Sequence, residues 1–304
     1  MSNDNEFQPL SPLADPVVGA IFSDVENAGL AAESLVRSII GSESLGKVIS
    51  VTPQRYYKIP DQRGCRVDVE IETSNNRIII AEVQLSVDPV MPQRNLLAAS
   101  QLISSRSQPG TTAAEMAETM PHVIAINILS FNCREDNTEF LQPIQMLYTK
   151  PPHTVALPQF KIYNVQLPRF MESEPDFSDP LSCWLYAMYT AHEKKLSIGE
   201  VVEMTPELRT FEKNDAGFRQ YCTQYGRVAT NPTVRDEYMR WLNESMRQAG
   251  MLLGAREQGE AIGIAKGKAE VARTLLSMGL PLDQISQATG LSAMEVKKLS
   301  RQKN

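Results

Sequence analysis

At 304 residues the chain is long enough for one sizeable core and an accessory unit. Its composition, 42% hydrophobic and 22% charged, is that of a water-soluble globular protein, and no run of about 18 apolar residues marks a membrane span. A net charge of -6 argues against indiscriminate coating of nucleic acid, yet leaves room for a locally basic groove.

The amino terminus, Met-Ser-Asn-Asp-Asn-Glu-Phe, lacks the apolar stretch of a signal peptide. Residues 1–12 are polar and predict a disordered tail. Asp15-Pro16 has the chemistry of a helix start, and Val17, Val18, Ile21 and Phe22 follow at helical spacing. Asn27-Ala28-Gly29 predicts a break, and Leu30 to Ile40 a second helix with Glu33 and Arg37 as an i,i+4 pair. Lys47 to Thr52 reads as a strand. The polar, aromatic stretch Gln54-Arg55-Tyr56-Tyr57 reads as strand or loop surface, or as a contact for phosphates.

The most informative stretch is Cys65 to Gln84. Val67, Val69 and Ile71 alternate with Asp68, Glu70 and Glu72, the period of a half-buried strand. Ser74-Asn75-Asn76 is turn chemistry, and Ile78-Ile79-Ile80 predicts a strand buried on both faces. That strand ends in Glu82-Val83-Gln84, so a carboxylate and an amide share a face. A carboxylate ending an apolar strand must be paired, solvated or bound to a metal. Asp68 and Glu82 can converge across the hairpin and, with a backbone carbonyl, suit Mg2+. Equally, the three acids of the first strand can be the solvent face of an ordinary hairpin.

Gln93 to Arg106 predicts a helix on which Arg94 and Gln101 share a face. Beside the Glu82 strand, Arg94 can stabilise phosphate charge and Gln101 can orient water. Residues 107–119 read as a polar connection. Val123 to Leu129 reads as an interior strand in which Asn127 is a satisfied core amide, the alternative being that it lines the site. Met146 to Tyr148 and Phe160 to Val165 read as further strands, the last nearer an edge. From Asp179 the pattern is helical, with core stripes at Trp184, Leu185, Met188 and Tyr189 and at Tyr238, Trp241, Leu242 and Met246.

The tail carries glycines at 250, 254, 259, 263 and 267, which weaken a lone helix and point to close packing. Beyond it, Gly290 ends one short helix and Ser292 caps the next with Glu295 at capping-box spacing, a pattern that resembles a helix-turn-helix. Residues 251–304 hold eight basic against five acidic side chains, which suits weak DNA binding or oligomerisation; a plain helical hairpin fits equally.

Asp68, then Glu82-Val83-Gln84, then Gln93-Arg94 at a helix start, then Leu167-Pro168-Arg169-Phe170 resemble, in order and spacing, the recombination-promoting nucleases of the PD-(D/E)XK superfamily, also described as PD-(D/E)XK family transposases. The resemblance implies an α/β, restriction-endonuclease-like core, a central mixed sheet flanked by helices, followed by an all-helical C-terminal region. It implies a nuclease-like domain over 1–170, a helical middle region over 171–248 and a Gly-rich helix with a helix-turn-helix-like tail over 249–304. The implied activity is Mg2+- or Mn2+-dependent DNA cleavage promoting recombination, in a bacterium or mobile element. Asp68, Glu82 and Gln84 would be catalytic, and Asp68, Glu82 and the Val83 carbonyl would hold the metal. Asp15 or Glu33 stands as a further acid from the N-terminal helices; capping or surface roles suit both. Gln84 stands where most of the superfamily has Lys, and Leu96-Leu97-Ala98-Ala99-Ser100 lacks the aromatic the family usually carries there. The rival expectation is a catalytically weak or inactive DNA-binding scaffold. Four scattered cysteines (65, 133, 183, 222) and three histidines (122, 153, 192) offer neither disulfide framework nor zinc spacing, which suits a reducing cytoplasm. Phosphate-loop and dinucleotide motifs are absent.

Overall fold

The computed structural model describes residues 8–23, 25–41, 44–57, 64–88, 90–106, 110–133 and 138–301. Lys58, Asp61 and Arg63, before the hairpin, lie outside them, as does most of the N-terminal tail. Two compact units divide the chain, Met1–Met239 and Arg240–Asn304.

The first unit opens with α1 (Asp15–Ile21) and α2 (Val25–Ile40), then β1 (Val48–Tyr57), β2 (Cys65–Thr73), β3 (Arg77–Gln84), α3 (Met91–Arg106), α4 (Ala113–Thr119), β4 (His122–Leu129), β5 (Leu141–Leu147) and β6 (Val155–Gln166). The helices α5 (Leu167–Phe170), α6 (Pro180–Lys194), α7 (Ile198–Met204), α8 (Pro206–Asn214) and α9 (Ala216–Thr230) follow, and α10 (Pro232–Ser277) begins. The strands form one mixed sheet in the order β1-β2-β3-β4-β6-β5. β3, β4 and β6 run parallel, while β1, β2 and β5 are antiparallel to their neighbours.

Both faces are covered, which explains the unbroken Ile78-Ile79-Ile80 run. On one face Ile78, Ile80, Val123 and Ala125 pack against Ala98, Ala99 and Leu102 of α3. On the other, Val69, Ile71, Ala81, Val83, Ile126 and Ile128 meet Val18 and Ile21 of α1, Leu35 and Val36 of α2, Met188 of α6 and Tyr221 of α9.

Several expectations need correction. α2 runs through Ala28 and Gly29 rather than starting after them. Ala28, Ala31 and Ala32 are buried, and that packing outweighs the roughly 1 kcal/mol that a helical glycine costs. Leu10 is buried and its carbonyl accepts from the Tyr225 hydroxyl at 2.6 Å, so residues 8–12 are anchored rather than disordered. β1 extends through Gln54-Arg55-Tyr56-Tyr57. The polar connection contains α4, started by a Thr112–Glu115 capping box. β6 lies between β4 and β5, so β5 is the edge strand. Trp184, Leu185 and Met188 are core as expected, but Met246 is 65% exposed.

In the second unit the end of α10 packs with α11 (Leu282–Thr289) and α12 (Ala293–Arg301) around Ala272, Ile285 and Val296. Gly290 terminates α11 with φ 67°, a conformation that costs glycine nothing. The Ser292 Oγ accepts from the Glu295 amide at 3.3 Å, and Glu295 Oε2 accepts from the Ser292 amide at 2.7 Å. That reciprocal pair is the expected cap.

Candidate active site

β2 and β3 pair in regular register only from Val69↔Ala81 to Glu72↔Ile78. The next pair in that register would be Asp68 and Glu82. There the ladder ends, and Asp68 Oδ2 takes the Val83 amide at 2.9 Å in place of a backbone partner. Side-chain alternation also breaks at Asp68. Val67 faces α3, whereas Val69, two residues on, faces α1 and α2. Gln54, opposite this point on β1, has φ 53°, so the irregularity spans both strands. Asp68 thus stands in the gap between two parting strands.

Glu82 closes that gap from the other side. Its Oε2 accepts from the Gln84 amide nitrogen at 3.2 Å and lies 3.7 Å from the Arg94 guanidinium. Arg94 is anchored in turn by Asp88 at 2.8 Å. Asp68 and Glu82 are 8% and 7% exposed, too buried for solvent to relieve their charge. Burial, and then the nearby Asp15 carboxylate, push Asp68 up to about 7, against the Val83 hydrogen bond and the more distant Arg94. Burial, then Asp68, push Glu82 up to about 8, against Arg94 and Gln84. These are two acids of one electrostatic unit, and titration belongs to the pair.

Asp15 is not a cap. Ala14 holds the N-cap position without a side-chain hydrogen bond, and Asp15 is the first helical residue, close enough to raise both acids. Glu33 instead pairs with Arg37 at 2.9 Å on α2. Gln101 is 2% exposed and accepts at 3.0 Å from the thiol of Cys65, which lines the same cleft as Glu82. The structure therefore gathers Asp15, Asp68, Glu82, Gln84 and Arg94, sets Gln101 behind Cys65, and pairs Glu33 on α2.

The solvent-facing side of this group is a shallow cleft lined by Cys65, Arg66, Glu82, Gln84, Arg94 and Asn95, among others. Asn95 is buried, and its Nδ2 has no hydrogen-bond partner among the described residues. Sequence reading missed Asp88, Arg66 and Asn95. The position of Asp88, six residues before Arg94 across a Pro-containing loop, was the available signal. Asn127 is buried but not fully satisfied. Register sets it beside Glu82, with Asn164 beside it and Gln142 next, a buried polar row crossing four strands. Asn127 donates to Asn164 at 2.8 Å, and its own Oδ1 lacks a partner among the described residues, so it is half satisfied.

Among the described residues no three His, Cys, Asp or Glu side chains converge at metal-binding distance. The donor set that does exist is two carboxylates. In β3 the Val83 amide points toward Asp68, and a strand residue's carbonyl points to the same edge as its amide, so the Val83 carbonyl faces the gap. Two hard oxygens in a buried, proton-retaining pair, with room for a carbonyl and water, fit the sparse protein ligation typical of Mg2+.

The four cysteines form no disulfide. Among the described residues no helix is long and apolar enough to cross a membrane. Two family models match the chain: PD-(D/E)XK nuclease family transposase over residues 14–243, and the C-terminal HTH domain of the Rpn/YhgA-like nuclease family over residues 265–301. No curated protein sequence and no solved structure matches it.

Proposed function

Because the chain belongs to the PD-(D/E)XK nuclease family transposases, we propose that it is a divalent-metal-dependent DNA endonuclease whose cuts promote recombination or serve a mobile element. The observation that carries this reading is the meeting of Asp68 and Glu82 where β2 leaves β3, with Arg94 over them. Asp68, Glu82 and the Val83 carbonyl would hold the cation, Mg2+ or Mn2+. When bound, the cation supplies charge neutralisation and Lewis-acid polarisation of the scissile phosphate.

The chain's own groups do the rest. Asp68 and Glu82 give up their retained protons to become ligands. Arg94, fixed by Asp88, meets non-bridging phosphate oxygens as charge develops. Gln84 orients by hydrogen bonds and delivers no proton, since an amide has no titratable group near neutral pH. The C-terminal helix-turn-helix supplies DNA affinity, with Lys297 and Lys298 exposed on α12. The unbridged cysteines suit a reducing cytoplasm, and copies of the chain associate through the C-terminal helices.

One observation favours a second reading, a DNA-binding scaffold with little activity: Gln84 spends its amide on Glu82 and brings no charge to the site. Nicking of supercoiled plasmid with Mg2+ or Mn2+ against EDTA separates the two. The nuclease reading expects metal-dependent nicking, lost in Asp68→Ala and Glu82→Ala while DNA binding persists. Equal, absent nicking in all three proteins with intact DNA binding would establish the scaffold.

A further inference from the structure

Among the described residues the middle of the long helix α10, residues 255–268, is exposed on every side. Ile262 and Ile264 are 55% and 57% exposed, and Leu252 is 69% exposed. A Cβ built on Gly259, Gly263 or Gly267 would meet no atom of another element within 4 Å among the described residues. At 100° per residue, Arg256, Gly259, Glu260, Gly263, Lys266, Gly267 and Glu270 fall within about 60° of one line down the helix. Ala272, buried against α11 and α12, points about 180° away from Gly263, so the helix-turn-helix core lies on the side opposite this line.

The segment around Gly263 reads nearly the same in both directions. Residues 259–267 are Gly-Glu-Ala-Ile-Gly-Ile-Ala-Lys-Gly. Reversal about Gly263 exchanges Ile262 with Ile264, Ala261 with Ala265 and Gly259 with Gly267. It exchanges Glu260 with Lys266 and, further out, Arg256 with Glu270. A second copy antiparallel across a two-fold axis at Gly263 therefore stands with Lys266 level with Glu260 and Glu270 level with Arg256 along the helices. A parallel pair would set Glu260 on Glu260 and Lys266 on Lys266. Self-complementarity under a two-fold axis is what an isologous interface requires.

We propose that two copies of this chain pair antiparallel along α10, crossing at Gly263, with Glu260 of each bonded to Lys266 of the other and Arg256 to Glu270. The glycines let the backbones approach closely, and Ile262 and Ile264 fill the shoulders of the contact. This pairing rests on the reading that copies associate through the C-terminal helices, and gives that association its axis and register.

The test is sedimentation of the full-length protein over a range of concentrations. The unsubstituted chain sediments as a dimer. Gly263→Leu improves helix propensity yet blocks close approach, so it yields monomer. Glu260→Lys opposes two lysines at two symmetric contacts and weakens the dimer about tenfold. Adding Lys266→Glu to it restores the dimer, because the swapped pair is again complementary only across an antiparallel axis. Under mild oxidation Gly263→Cys forms an intermolecular disulfide absent from the unsubstituted protein treated alike. A chain that is monomeric throughout overturns both the association and this pairing. A dimer indifferent to Gly263→Leu, or one not rescued by the second charge change, leaves association standing and overturns the pairing.

Discussion

The β2–β3 hairpin holds two groups of buried acids, each beside an arginine of α3, and they differ in kind. At one end Glu70 and Glu72 lie on the same strand where the ladder is intact, paired with Ile80 and Ile78. Arg106 contacts both, with Glu72 closest and Glu70 at 3.8 Å. Burial, offset by Arg55 and Arg106, raises the Glu70 carboxyl. At the other end Asp68 and Glu82 come from different strands where the ladder has opened, and Asp15 adds a third negative charge. Arg94 is shared with Asp88. The first group is an ion-pair cluster held by one arginine in contact with both acids. The second sets three acids around one arginine that is already shared with Asp88, and it has an open side. Burial of carboxylates is common to both groups; parted strands and an open side belong to the second alone.

The sharpest way to break this contrast is to remove an acid from each group. Asp68→Ala or Glu82→Ala should lower plasmid nicking by more than about 100-fold, the scale of losing one transition-state stabiliser. Glu72→Gln should leave nicking within about threefold, as expected of a side chain outside the reacting site. Comparable losses in all three variants would erase the distinction between the groups.

The arginines sharpen it next. Arg94→Ala should reduce nicking by roughly 10- to 100-fold with little change in melting temperature, because it stands over the acids and is half exposed. Arg106→Ala should do the reverse. It leaves Glu70, 2% exposed and with Oε2 already unpartnered among the described residues, with less compensation. A loss of about 1–2 kcal/mol is expected, since Arg106 is itself 42% exposed and screened. Thermal unfolding and nicking rates measured on both variants decide this.

The smallest expected effect is on stability against pH. Burial and repulsion among the acids push the Asp68–Glu82 pair above the ordinary carboxylate range in the folded chain, up to about 7 and about 8. The folded state therefore holds protons that the unfolded chain releases, and metal-free stability should fall as pH rises from about 4 through 8. Mn2+ should raise the melting temperature by a few degrees at pH 8 and by less at pH 5, where protons compete. Differential scanning fluorimetry at the two values would show it.

Much of this site was legible in the sequence. The alternation of β2, the Asn-rich turn and the triple isoleucine specify a hairpin, and a carboxylate at the end of such a strand demands a partner. The Ser292–Glu295 cap and Gly290 stop were legible for the same reason: their chemistry is local. What was not legible depended on distant neighbours. The alternation breaks at Asp68 because β2 parts from β3 and β1 kinks at Gln54, and no residue type announces either. Asp15 looked like a cap, and only the approach of α1 to β2 brings its charge to Asp68. Glu70 looked like solvent face until α3 covered it. The polar row from Glu82 through Asn127 to Gln142 required the strand order, in which β6 lies between β4 and β5.

The central claim is that Asp68 and Glu82 form a divalent-cation site. Calorimetric titration of Mn2+ into the protein at pH 7, in two buffers of different ionisation enthalpy, tests it most directly. One site is predicted, with a buffer-dependent heat that reports proton release from the acid pair, lost in Asp68→Asn and retained in Glu72→Gln. Binding unchanged by Asp68→Asn, or no binding by the unsubstituted chain, would contradict it.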